Sequence, residues 1–270
     1  MTLREEVRNR RFWLGMLSEV LGSMIFVSAV LGSSLSLPDG AASALTAGMA
    51  AVSLGHCFGE ISGAQVNPAI TVALLATHKL DALRAIIYVF AQCVGATVGA
   101  GVLYLVLPLK SPAEIYVNKV PTEVNAGQAL VMEILATFQL VFTIFSVEEQ
   151  QRKEGFHPGN LATGCSLTAG LFTAGKISGG SLNPARSLGP AIIVGYWEHH
   201  WVYWLGPVLG AVLAGVSHEF FFATSSSRQK LVACLTCKDI EIVETASVSR
   251  SSLSTLTQIR AKQSNTHEHN

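Results

Sequence analysis

The sequence predicts an all-α membrane protein, with six transmembrane helices and two half-helices arranged as an inverted repeat. Three observations carry this. Half of the 270 residues are hydrophobic, 13% are charged and the mean hydropathy is +0.43, a composition unlike that of a soluble single-core domain of this length. Asn-Pro-Ala occurs twice, at Asn67-Pro68-Ala69 and Asn183-Pro184-Ala185, at matching points of two apolar halves. A glutamate stands at a matching distance before each motif, Glu19 48 residues before Asn67 and Glu133 50 before Asn183.

In chain order, residues 1–11 form an N-tail carrying Arg4, Arg8, Arg10 and Arg11. The apolar stretch from Phe12 to Leu37 is too long for a signal core, so it is expected to stay as an anchor. Further spans begin near Ala42 and Leu83, then near Gln128, Leu161 and His200. The channel-like domain therefore covers 12–222, with halves at about 12–108 and 128–222, and 223–270 is a Ser/Thr-rich polar tail expected to lack fixed structure. Three spans per half place the second half upside down relative to the first. Gly95 and Gly99 in the third span, and Gly206, Gly210 and Ala214 in the sixth, have the spacing that lets helices approach closely.

The two motifs are helix starts on physical grounds. Asn is a strong N-cap, and Pro suits the first helical position because its missing N–H would be unpaired there anyway. The apolar runs that follow, Ala69 to Thr77 and onward from Asn183 to Ile193, are each about 15–18 Å long as helix. A hydrocarbon core is about 30 Å thick, so neither crosses it and the two end to end do. The approaches Ile61-Ser62-Gly63-Ala64-Gln65-Val66 and Ile177-Ser178-Gly179-Gly180-Ser181-Leu182 share Ile-Ser-Gly. Irregular backbone of that kind is tolerated at membrane depth only where protein buries it or it lines a watery cavity. Buried carboxylates at Glu19 and Glu133 are expected to accept hydrogen bonds from it.

Charge sets the orientation. Lys79 and Arg84, Arg152 and Lys153, the N-tail arginines and the C-tail fall on one side of six spans, against Lys110, Lys119 and Lys176 on the other. The positive-inside rule then puts both termini in the cytoplasm of a multi-pass protein, with the plasma membrane as the expected site. A formal charge of zero offers no case for nucleic acid. Cys57, Cys93 and Cys165 read as small packed thiols. Cys234 and Cys237 form one C-x-x-C, which cannot complete a four-ligand zinc site, so no metal or other cofactor is expected; lipid attachment near the membrane suits that pair better. The absence of His-Glu-x-x-His and of paired aspartates in the spans disfavours an intramembrane enzyme. A structural or adhesion protein would need larger loops than the 109–127 connection, which also lacks a glycosylation triplet.

Together the twin motifs with their flanks (Ile-Ser-Gly-Ala-Gln-Val-Asn-Pro-Ala-Ile-Thr and Asn-Pro-Ala-Arg-Ser-Leu-Gly-Pro-Ala), the paired glutamates and the six spans resemble the aquaporin (major intrinsic protein) family over residues 12 to 222. The resemblance implies a homotetramer in the lipid bilayer with one pore per subunit. Asn67 and Asn183 would meet at mid-membrane and donate to a passing water, while the carbonyls of Gly63, Ala64, Gln65 and Val66, and of Gly179, Gly180, Ser181 and Leu182, supply acceptors. An ungapped count from the motifs places the family's four-residue constriction at Ala47, Leu171, Gly180 and Arg186. Water-selective members typically carry Phe and His at the first two, so this aperture is expected to be wider and less polar. Ser187 replaces the Asp typical of the glycerol-facilitator branch, and Ser187, Ala191, Tyr203 and Trp204 look like the water branch. The chain thus looks like the insect channels that sit on the water branch yet conduct glycerol and urea; a strictly water-selective channel is the alternative. His56 and Gln65 lie near the cytoplasmic mouth, where His56 either lines the path or is a hydrogen-bonded structural residue.

Overall fold

The computed structural model describes residues 3–34, 40–106, 117–154 and 159–223. Among them nine α-helices form: α1 (Leu3–Arg8), α2 (Arg10–Ser33), α3 (Ala41–Ser62), α4 (Pro68–Ala76), α5 (Ala82–Val106), α6 (Ala126–Glu154), α7 (Gly159–Ser178), α8 (Pro184–Val194) and α9 (Val202–Ser217), the last followed by a π turn at His218–Phe222. The expectations for Lys110, Cys234, Cys237 and the tail beyond Ala223 fall outside the described residues.

Removing the short leading helix α1 leaves two series of four, α2 to α5 and α6 to α9, each with three long helices and one short helix in third place. The short ones are α4, 9 residues, and α8, 11 residues. Each is capped as the tripeptide requires. Asn67 (φ −156°, ψ 116°) and Asn183 (φ −149°, ψ 108°) are extended, and Pro occupies the first turn. The Asn67 Oδ1 accepts from the Ala69 N–H at 2.9 Å, and the Asn183 Oδ1 from those of Ala185 and Arg186 at 3.0 and 3.2 Å.

Five long helices are long and apolar enough to cross a membrane: α2, α3, α5, α6 and α9 with its π turn. The sixth expected span, α7, has 20 residues, about 30 Å at 1.5 Å per residue, but is less apolar. Its polarity is turned inward. Asn160 and Thr163 line a cavity, Ser166 bonds Gln139, and the Thr168 hydroxyl donates to the Ala44 carbonyl at 3.3 Å. By contrast α5 turns Ile86, Phe90, Val94, Val98 and Val102 outward, an apolar stripe suited to hydrocarbon.

Small residues bring helices together within each half and between the halves. A Cβ on Gly95 would stand 2.1 Å from the Val20 carbonyl oxygen of α2, and one on Gly210 2.3 Å from that of Ile134 in α6. Val20 and Ile134 each follow a buried glutamate, so the two contacts are counterparts. Gly48 of α3 and Gly164 of α7 cross face to face, and a Cβ on either would approach the other's carbonyl oxygen within 2.6 Å. These close crossings hold the half-helices in a fixed cradle.

Candidate functional site

The site is built on the irregular segments that lead into α4 and α8. Gly63 (φ 88°), Ala64 (φ 47°) and Val66 (φ 49°) are left-handed before α4, as are Gly179 (φ 83°), Gly180 (φ 62°) and Leu182 (φ 56°) before α8. For Val66 and Leu182 this conformation costs on the order of 1–2 kcal/mol each. Such backbone persists only when its surroundings over-determine it.

The glutamates do this. Oε1 of Glu19 accepts from the Ser62 hydroxyl at 2.6 Å and the Gln65 N–H at 3.0 Å, and Oε2 accepts from the Val66 N–H and the Gln92 side-chain amide, both at 2.7 Å. Oε1 of Glu133 accepts from the Ser178 hydroxyl at 2.6 Å and the Ser181 N–H at 2.8 Å, and Oε2 from the Leu182 N–H at 2.8 Å. Both carboxylates are fully buried. Each satisfies backbone donors that the left-handed turns leave without a helical partner.

With the turns held, the two helix starts meet. The Asn67 Nδ2 donates to the Leu182 carbonyl and the Asn183 Nδ2 to the Val66 carbonyl, each at 2.8 Å. Each asparagine thereby reaches the backbone of the other half. A side-chain amide has two N–H donors, so this leaves one on each asparagine for another acceptor.

Two cavities flank this meeting point. The first, about 360 Å³, is lined by Gly63, Ala64, Gln65 and Val66, by Asn67 and Asn183, and by His56, Glu60 and Glu148. The second, about 510 Å³, is lined by Ala47, Leu171, Gly180 and Arg186, together with Asn118, Gly179 and Ser181. Phe26 and Leu167 line both, so the cavities share a wall. All four residues counted from the motifs for the constriction thus stand around one space. Of the eight expected carbonyl residues, Leu182 lines neither cavity; its side chain is fully buried and its carbonyl faces Asn67. Pro68, Ala69, Pro184 and Ala185 are buried at the helix starts.

The electrostatics are one-sided. Arg186 Nη1 donates to the Oδ1 of Asn118, which also accepts from the Ser187 hydroxyl at 2.7 Å. The Asn118 Nδ2 donates to the Gly179 and Gly180 carbonyls at 2.8 and 3.1 Å. Between α8 and α9 in the second half, burial holds the His200 imidazole below its ordinary value, and its Nε2 accepts from the Trp204 indole at 3.2 Å. Among the described residues no group of three His, Cys, Asp or Glu could hold a metal.

Reading the sequence missed Gln92, Asn118 and the hydroxyl of Tyr203, which donates to the Ser178 carbonyl at 2.7 Å. Gln92 had a signal, a strongly polar residue inside an apolar span. Ser62 and Ser178 had a stronger one, since the repeated Ile-Ser-Gly supplies the hydroxyl that each glutamate accepts. Asn118 had none in its neighbourhood.

The family model described as Major intrinsic protein matches residues 6–218. The chain is 42% identical to Aquaporin-4 of Rattus norvegicus and of Homo sapiens over 224 residues, covering 80% of this chain and 69% of each relative. It is 38% identical over 239 residues to Aquaporin-5 of Homo sapiens, covering 86% of this chain and 90% of that one. Among solved structures, that of the aquaglyceroporin from Plasmodium falciparum superposes with a TM-score of 0.67 at 23% identity, covering 77% of this chain and 94% of that chain, a likeness of fold.

Proposed function

This chain belongs to the major intrinsic protein family and is a passive channel of the membrane, not an enzyme, and we propose that it passes glycerol and urea alongside water while excluding protons and ions. The observation that carries the solute range is the composition of the second cavity's wall. Ala47 offers only a methyl group and Leu171 an apolar surface, in a wall that also holds the Arg186 guanidinium and the backbone of Gly180, with Lys176 a second cation on the same cavity. A polyol needs both features, an apolar wall for its carbon backbone and a strong donor for its hydroxyls. A bulky ring at position 47 or an imidazole at 171 would leave room and polarity for water alone.

Conduction in this reading uses the meeting point of the half-helices. The spare N–H of Asn67 and of Asn183 donates to a passing oxygen, at the positive ends of both helix dipoles, which opposes cations. Carbonyls of residues 63–66 and 179–182 supply acceptors along the approach. Those of Val66 and Leu182 already accept one asparagine hydrogen each and keep a second lone pair.

The second cavity faces outward and the first faces the cytoplasm in this reading, since the N-tail arginines, Lys79 and Arg84 lie toward the first. The channel domain spans 12–222 of a homotetramer in the plasma membrane; the outward apolar stripe on α5 is available to lipid or to a neighbouring subunit. The test is the double change Ala47→Phe with Leu171→His in oocytes. Glycerol and urea uptake should fall about tenfold, on the scale of one to two lost contacts, with swelling in hypotonic medium largely spared. Equal solute uptake by parent and double variant at matched surface amount overturns the assignment.

A further inference from the structure

We infer that Asn118, outside both halves of the repeat, is the positioning residue of the constriction: it decides where the Arg186 guanidinium stands and therefore how solutes are sorted. This rests on the reading of Arg186 as a wall of the solute path.

The geometry leaves Asn118 one orientation. Its oxygen faces a guanidinium N–H and the Ser187 hydroxyl, and its nitrogen faces the carbonyls of Gly179 and Gly180. Flipping the amide would set N–H against N–H on one side and oxygen against two oxygens on the other. The side chain is 3% exposed, so none of these partners is exchanged freely for water.

The segment carrying it is seated in two ways. A Cβ on Gly179 would stand 2.8 Å from the Lys119 carbonyl oxygen, so the chain at 118–119 lies directly on that glycine. The Lys119 ammonium stands 4.7 Å above the Tyr196 ring, beyond α8. The first half has no such arrangement: among the described residues no side chain donates to the Gly63 or Ala64 carbonyl.

Without Asn118 the guanidinium loses its acceptor, and the carbonyls it can reach instead are those of Gly179 and Gly180, freed by the same change and lining the cavity. Turning toward them narrows the path. Water in single file tolerates a narrower aperture than glycerol or urea, so the ratios of solute to water permeability fall.

The experiment measures water, glycerol and urea permeability of Asn118→Leu and Asn118→Asp in proteoliposomes at matched protein amount. Leu keeps the volume and removes all four hydrogen bonds; both solute-to-water ratios should fall about tenfold, the scale of one charge-assisted hydrogen bond. Asp keeps the acceptor for Arg186 and should stay within about twofold of the parent ratios, because the guanidinium remains anchored. Unchanged ratios in the Leu variant, or an equal fall in both variants, overturn the proposal. If Asn118→Leu fails to reach the membrane, Asn118→Ser carries the same test, since a hydroxyl on one carbon cannot span the carbonyls and the guanidinium together. A parent without glycerol or urea flux refutes the solute reading instead; Asn118 is then judged by cryo-electron microscopy of the Leu variant, where a displaced Arg186 upholds the proposal and an unmoved one overturns it.

Discussion

The two halves solve one backbone problem with different second partners. In the first, Glu19 accepts from Ser62, from the Gln65 and Val66 backbone and from Gln92 of α5, which also donates to Thr71 at 2.9 Å. In the second, Glu133 accepts from Ser178, Ser181 and Leu182, while Tyr203 of α9 holds the Ser178 carbonyl. Even the pair flanking each motif asparagine is kept in altered form. Thr71 donates to the Gln65 side chain at 2.6 Å in one half, and the Ser181 and Ser187 hydroxyls pair at 2.5 Å in the other. The halves differ most where the second adds a cation and borrows Asn118 to hold it. The common framework makes the turn of the chain, and the proposed sorting of solutes rests on the departures from symmetry.

The largest effect expected from breaking the framework is at the carboxylates. Glu19→Ala and Glu133→Ala each orphan at least three donors, at about 1–3 kcal/mol apiece. Neither variant should give folded channel in detergent by size exclusion and thermal melting; two normal melts would show that the left-handed turns stand without them.

Next come the helix crossings. Gly95→Ala and Gly210→Ala put a methyl group on a carbonyl oxygen and should each cost about 1–3 kcal/mol. At Gly32 the nearest atom would be 3.5 Å away, and Gly32→Ala should be neutral or stabilising by about 0.5–1 kcal/mol. Similar melting temperatures for Gly95→Ala and Gly32→Ala would mean that the crossing relaxes easily.

A smaller change separates the second partners. Gln92→Leu removes a donor from Glu19 itself, whereas Tyr203→Phe removes one from a carbonyl beside Glu133. The first should cost more, about 1.5–3 against about 0.5–1.5 kcal/mol, because a hydrogen bond to a charged group is worth more. Equal losses would say that the two halves lean on these partners alike.

The smallest effect is a pH dependence belonging to the second half alone. Because burial holds His200 below its ordinary value, the unfolded chain takes up a proton there before the folded one. The parent should therefore lose stability as pH falls below about 6.5, with no His200 contribution above it. His200→Gln should remove that part of the slope, and a slope unchanged by it would assign the acid sensitivity elsewhere.

Much of this was legible in the chain. The repeat announces itself because both halves need the same cap, the same serine and the same carboxylate, and identical chemistry leaves identical residues at Asn67 and Asn183, Ser62 and Ser178, Glu19 and Glu133. The span at α7 was legible from its start near Leu161, although polar side chains of this helix turn onto α3, α6 and a cavity. What stayed hidden did so for a physical reason. Asn118 acts on residues 61 to 69 positions away and has no counterpart in the first half, so neither repetition nor spacing marks it.

The central claim, an aperture wide and apolar enough at Ala47 and Leu171 for small solutes beside water, is tested most directly on the purified parent in proteoliposomes. Stopped-flow light scattering would compare water, glycerol and urea with protein-free vesicles, alongside proton flux. The account predicts all three permeabilities above background with no added proton leak. Water flux without glycerol or urea flux would contradict it and leave a strictly water-selective channel.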